Sequence, residues 1–276
     1  MSRDAEQDHI SKRVVVYRIA GMDDVRVRRD VAYGADGTGA LTMDIYYPPD
    51  TKRGSRIPAV VFVAGFPDAG FEAKVGCKFK EMGASRSWAQ LTAASGVAAI
   101  TYTNRDPAAD LHALLRYTGQ HAARLGIDRR RIGLWASSGN VPLALSVLMR
   151  EERENLKCAV LCYGYTLDLA GSTAVAEAAA TWGFVNPSAG KSIADLPTDV
   201  PLFIARAGRD QMPRLNETLD RFLAHALTCN LPVTFTNHHA APHAFDLLHD
   251  TETSREIIRH ILSFMRFHLS AIPAAS

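Results

Sequence analysis

Two patterns of apolar and polar positions divide the chain. Near its start, residues 14–17, 25–28 and 41–46 are apolar or alternate apolar with polar, and turn-forming stretches at 21–24 and 34–39 separate them. Such segments predict strands, and their close succession predicts an antiparallel meander. The glycine-rich turn Gly34, Gly37, Gly39 has the wrong spacing for a nucleotide fingerprint, and no helical pattern follows it. It reads as a hairpin loop.

From Pro58 onward, short apolar runs alternate with helical patterns. Strands are predicted at 59–64, 96–102, 131–135, 157–162, 201–205 and 233–236, and helices near 107–124, 139–152, 213–227 and 252–269. Continuously apolar strands separated by helices imply a mostly parallel sheet covered on both faces, with ligands at the carboxyl ends of its strands. Residues 168–198 interrupt the alternation with an alanine-rich run at 174–180 followed by Trp182, Phe184 and Pro187. A small helical cap and a crossover helix with a long loop fit this stretch equally well. No repeat or low-complexity linker marks a second unit, so one α/β domain over residues 1–276 is expected.

Composition narrows the function classes. At 276 residues, 47% hydrophobic and 22% charged, the chain has ample core material, which excludes disordered and fibrous architectures. The 31 Lys and Arg nearly balance the 29 Asp and Glu, and without a basic block nothing points to nucleic acid as a partner. The first eight residues are mostly polar or charged, and no run approaches the roughly 18 apolar residues of a membrane span. A cytoplasmic protein without a membrane partner is the expectation. Cys77, Cys158, Cys162 and Cys229 match no common zinc spacing and read as reduced thiols. His239 and His243 are four apart, but Pro242 between them breaks the helix that a metal pair would need.

Three strand ends carry groups suited to nucleophilic chemistry. The segment 132–143 passes from an apolar strand through small residues into a helix, where a strained nucleophile turn belongs, and such a turn demands small residues two positions before and after the nucleophile. Ser137 would put Trp135 in that crowded place, whereas Ser138 has Ala136 before it and Asn140 after it. Ser138 is therefore the nucleophile, with the Gly139 N–H facing a developing oxyanion. A helix cap is the bland alternative for this Ser-Ser-Gly. Asp210, on a glycine-containing loop after a buried strand, suits the orienting carboxylate, with a cap of the next helix as its alternative and Asp168 as a second choice for the role. His243, between the last strand and the last helix, is the general base, while His238 and His239 read as packing or surface residues. A second oxyanion donor is expected after the first central strand, where Pro67 has no N–H, so Phe66 is chosen.

With these motifs the chain resembles the α/β-hydrolase superfamily, and within it the dienelactone hydrolase and prolyl-oligopeptidase-like esterases. The resemblance runs from about Leu41 to the C-terminus, through residues 43–48, 64–67, 136–140, 208–210 and 242–245. Ala136 and Asn140 replace the usual elbow glycines, and Ala64 replaces the histidine that usually precedes the oxyanion glycine. Alanine is small and asparagine accepts left-handed backbone angles, which makes the first departure tolerable. The resemblance implies a serine hydrolase that cleaves small or medium carboxylic esters through an acyl-enzyme, using Ser138, His243 and Asp210 and needing no metal or organic cofactor. A peptidase or thioesterase with the same triad, and a silent binding protein of the same fold, are the alternatives. Phe71, Trp182 and Phe184 are candidates to line the substrate pocket, and the last helix and the N-terminal strands are candidate surfaces for a homodimer.

Overall fold

A computed structural model describes residues 9–36, 39–52, 54–153 and 155–270. Eight strands form one sheet in the order β1-β2-β4-β3-β5-β6-β7-β8. They are β1 (Arg26–Asp36), β2 (Gly39–Tyr47), β3 (Ile57–Phe62), β4 (Ala98–Tyr102), β5 (Ile127–Ser137), β6 (Leu156–Cys162), β7 (Leu202–Ala207) and β8 (Val233–His238). β2 pairs antiparallel with both β1 and β4, and every later pairing is parallel. The helices of eight or more residues are α1 (Asp68–Val75), α2 (Gly83–Ala94), α3 (Pro107–Gln120), α4 (Val141–Leu148), α5 (Ala174–Trp182), α6 (Leu215–Thr228) and α7 (Glu252–Leu269).

The parallel half follows the sequence pattern because β3, β4 and β6 are buried almost throughout, which only a sheet covered on both faces allows. One apolar layer packs α3, α4 and α6 against one face, around Leu111, Leu145 and Phe222. The other packs α2 and α7 against the opposite face, around Trp88, Ile258 and Met265. Burial of such apolar surface is the main term holding the layers together.

Several expectations need correction. Residues 14–17 form no strand of the sheet: Val15 N–H donates to Ser87 Oγ at 3.0 Å and Val16 N–H to the Asp246 carbonyl at 2.8 Å. This apolar segment is spent on packing against α2 and the loop before α7. The meander is completed by β4 instead, and β1 extends well past residue 28 to Asp36. The β1–β2 pairing closes at Asp36 and Gly39, where the hairpin loop was expected; residues 37 and 38 lie outside the described residues. The helix expected over 107–124 ends at Gln120 and resumes as a single turn, Ala122–Leu125. The one expected over 139–152 is α4 alone, because its first residues form the elbow. In the stretch 168–198 the chain forms α5, a one-turn 3-10 helix at Ile193–Asp195, and connecting loops.

Buried charge in the antiparallel half is paired. Lys80 Nζ donates to Asp44 Oδ1 at 3.0 Å and to Asp30 Oδ1 at 2.7 Å, and both Lys80 and Asp44 are buried. An unpaired charge in that place would be strongly destabilising. The four cysteines are free thiols.

Candidate active site

Three loops meet at the carboxyl ends of β5, β7 and β8. The first is the elbow between β5 and α4. Ser138 has a φ of 54°, in the left-handed region that costs an L-residue about 1–2 kcal/mol. The packing around it holds that strain: a Cβ on Gly139 would lie 2.5 Å from Phe184 Cδ1, and one on Gly164 would lie 2.2 Å from Val141 Cγ2. These glycines let the elbow close on its neighbours. Asn140, in contrast, has a φ of −84° and ψ of −15°, so its tolerance does not come from left-handed angles as expected. It fits because its side chain has a buried partner, Gly65 N–H, at 2.7 Å from Oδ1.

The second loop follows β7, and the third follows β8. They are tied to each other by Gly208 N–H to the His238 carbonyl at 2.9 Å and Arg209 N–H to the Ala241 carbonyl at 2.8 Å. Gly208 is required here, since a Cβ would meet the His239 carbonyl oxygen at 2.4 Å. The result is a continuous hydrogen-bonded relay across residues distant in sequence. Ser138 Oγ lies 2.9 Å from His243 Nε2, and His243 Nδ1 lies 2.7 Å from Asp210 Oδ2. Asp210 Oδ1 also accepts from Met212 N–H at 2.9 Å, and Gln211 Oε1 accepts from His243 N–H at 3.2 Å. The Asp210 side chain is 0% exposed and that of His243 16%. The Asp210 carboxylate is thus shielded from water while the imidazole is partly exposed.

Two groups beneath His243 escaped the sequence reading. The Tyr163 ring meets the imidazole edge-on at a centroid separation of 5.1 Å. Its hydroxyl donates to Asp246 Oδ1 at 2.5 Å, and Trp88 Nε1–H donates to Asp246 Oδ2 at 2.6 Å. Burial pushes the Asp246 carboxyl up from its ordinary range, and the two donors and nearby His243 oppose the shift. Burial likewise pushes the Tyr163 hydroxyl up, reinforced by Asp246. The available sequence signal was an acid, Asp246, set in the otherwise apolar run 244–248.

The remaining candidates fall into distinct places. Phe66 and Phe184 pack against each other at 5.8 Å, Phe66 against Phe71 at 5.6 Å, and Phe184 stacks on Tyr165 at 5.6 Å, forming an aromatic wall beside Gly139. Trp182 stays outside it, 43% exposed, with its carbonyl accepting from Lys74 Nζ at 2.8 Å. Asp168 is engaged elsewhere, accepting from Val175 and Ala176 N–H at 2.9 and 3.0 Å and so capping α5. His238 is buried with Nε2 on Ser254 Oγ at 3.1 Å, and His239 is exposed. Ser137 ends β5 in register with Cys162. Phe66 N–H has no acceptor among the described residues. No group of three or more His, Cys, Asp or Glu among the described residues is arranged to hold a metal ion.

Solved structures match this architecture over nearly the whole chain. A bacterial heroin esterase superposes with a TM-score of 0.67 at 18% identity, covering 93% of this chain and 88% of its own. The chain has the α/β-hydrolase fold. A hyperthermophilic esterase from the archaeon Pyrobaculum calidifontis gives 0.66 at 20% identity, covering 89% of this chain and 87% of its own. Esterase 2 of Thermogutta terrifontis, phosphoramylated by tabun, gives 0.61 at 20% identity, covering 91% and 98%. No family model and no curated protein sequence matches the chain. In this α/β-hydrolase fold the strand ends that carry Ser138, Asp210 and His243 are where ligands belong.

Proposed function

We propose that the chain is a serine hydrolase that cleaves carboxylic esters of small or medium size, of the dienelactone hydrolase-like type. The observation that carries the reading is the relay from Ser138 through His243 to the buried Asp210, with contacts of 2.9 and 2.7 Å, on an elbow whose serine has a φ of 54°. A helix cap would explain neither the imidazole on the hydroxyl nor the strained angle. The fold shared with solved esterases supports the same reading.

The chemistry follows from these contacts. Ser138 Oγ attacks the ester carbonyl carbon while His243 Nε2 takes the hydroxyl proton, and Asp210 stabilises the imidazolium that forms. The carbonyl oxygen becomes an oxyanion that accepts from the N–H groups of Phe66 and Gly139. Collapse of this intermediate expels the alcohol, protonated by His243, and leaves an acyl-Ser138. Water, deprotonated by His243, then attacks the acyl carbon, and the acid is released with Ser138 reprotonated. The aromatic wall of Phe66, Phe71 and Phe184 flanks the acyl group. Phe184 brings the stretch 168–198 into that wall, and the chain is read as one catalytic domain that acts in the cytoplasm on small-molecule esters. Among the described residues no helix is long and apolar enough to cross a membrane.

Side-by-side rates on p-nitrophenyl esters, acyl thioesters and aminoacyl amides test the reading. Turnover of the esters with the other two classes slower by about tenfold or more supports it. Faster turnover of thioesters or amides reassigns the substrate class, and binding without turnover of any of them refutes catalysis.

A further inference from the structure

We infer that Asn140 is a positioning residue that holds the two oxyanion donors at a fixed separation. The inference rests on the ester-hydrolase reading and deepens it. From Ala64 onward, each backbone polar group of the loop after β3 has an assigned partner until Phe66 is reached. Ala64 N–H donates to Tyr102 Oη at 3.1 Å, and the Ala64 carbonyl accepts from Asn104 Nδ2 at 3.3 Å. Gly65 N–H donates to Asn140 Oδ1 at 2.7 Å, and the Gly65 carbonyl accepts from Val185 N–H at 2.8 Å. Phe66 N–H is the next group in line, and it is left for a ligand.

Only one of these four contacts joins the loop to the elbow itself. Asn140 is next to Gly139, and Gly65 is next to Phe66, so their hydrogen bond links the immediate neighbours of the two donors. Asn140 is 3% exposed, which makes the bond stronger and its loss more damaging than at a surface. The backbones also touch. A Cβ on Gly65 would lie 3.0 Å from Asn140 Cα and 3.0 Å from the Gly139 carbonyl oxygen. A glycine at position 140 would leave Gly65 N–H without this acceptor, so the asparagine adds a restraint that the usual elbow residue lacks.

An interaction that fixes donor geometry is felt where charge develops, in the transition state, and little in the bound ester. The test compares wild type with Asn140→Ala on a p-nitrophenyl ester and with a trifluoromethyl ketone, whose serine adduct carries the oxyanion. Asn140→Ala is expected to lower kcat about 10–100-fold, below the roughly 10²–10³-fold loss of an oxyanion donor itself, with KM changed less than about threefold. Ketone affinity should fall in parallel with kcat. Gly65→Ala, which displaces the loop from the other side of the same contact, should give the same signature and serves if thermal melting shows that Asn140→Ala does not fold. Either variant keeping kcat and ketone affinity within about threefold of an active wild type overturns this inference alone. A loss confined to KM overturns it as well, since that would be ground-state packing. A wild type that turns over no ester overturns the hydrolase reading and this inference with it.

Discussion

Two Ser–His contacts use histidines five residues apart in sequence, His238 at the end of β8 and His243 in the loop after it, and only one of the two imidazoles has a carboxylate behind it. Ser138 and His243 are 2.9 Å apart in a part-buried contact, whereas Ser254 and His238 are 3.1 Å apart and buried in the first turn of α7. By distance the two pairs are nearly equal. They differ in what surrounds them. His243 has Asp210 on Nδ1, which fixes the tautomer and orientation, while His238 Nδ1 is buried without a partner among the described residues. Ser138 is held at a left-handed φ with Gly139 next to it in the chain, and Ser254 is fully buried and bonded to Thr251 Oγ1 at 3.1 Å. A serine beside a histidine is therefore not a nucleophile until a carboxylate, access and oxyanion donors are added to it.

The largest expected effect is on the reactive pair. Ser138→Ala should lower kcat by about three orders of magnitude or more, with the protein still folded by circular dichroism. Asp210→Asn, which leaves the shape but offers His243 the wrong hydrogen-bonding partner, should cost about two to three orders in kcat. Steady-state rates on one ester measure both, and a near-wild-type Asp210→Asn would erase the difference between the two histidines.

Smaller effects come from groups that touch only one side of the comparison. Tyr163→Phe keeps the ring against His243 but leaves Asp246 with one donor fewer. It should lower kcat about three- to tenfold and destabilise the fold by about 1–3 kcal/mol in denaturant titration. Ser254→Ala removes a buried partner of His238. It should leave kcat within about twofold and cost about 1 kcal/mol of stability.

His238 also makes the stability of the fold depend on pH. Burial lowers the His238 pKa, and His249 adds to the shift. His238 is thus held neutral in the fold, and the unfolded chain binds the extra proton first as pH falls. Its contribution is complete above the unfolded value of about 6.5 and is lost as pH falls through the lower folded value. Unfolding free energies of wild type and His238→Gln across pH 5 to 8 should show the wild type losing stability more steeply on acidification.

Much of this site was legible in sequence because strand ends impose strong local rules. The exclusion of Ser137 by Trp135 is such a rule, and the structure has the bend one residue after Ser137. Asp210 and His243 were findable because each follows a separate predicted strand. The contacts that hold them were not, since Trp88 and Asp246 are 158 residues apart and Gly65 and Asn140 are 75 apart. Such pairs arise from how layers stack, which no local pattern encodes. Residues 14–17 misled for the opposite reason: a short apolar run reads as a strand whether it joins a sheet or packs on a helix. Trp182 likewise reads as a pocket aromatic by type alone, and its place at the exposed end of α5 depends on where that helix stops.

The central claim is that Ser138, and not Ser254 or Ser137, is the activated serine. Labelling the folded protein with a fluorophosphonate probe and mapping the modified peptide tests it without knowledge of the substrate. The account predicts modification at Ser138, abolished in Ser138→Ala and unchanged in Ser254→Ala and Ser137→Ala. Modification at either of the other serines, or none in a well-folded wild type, would contradict it.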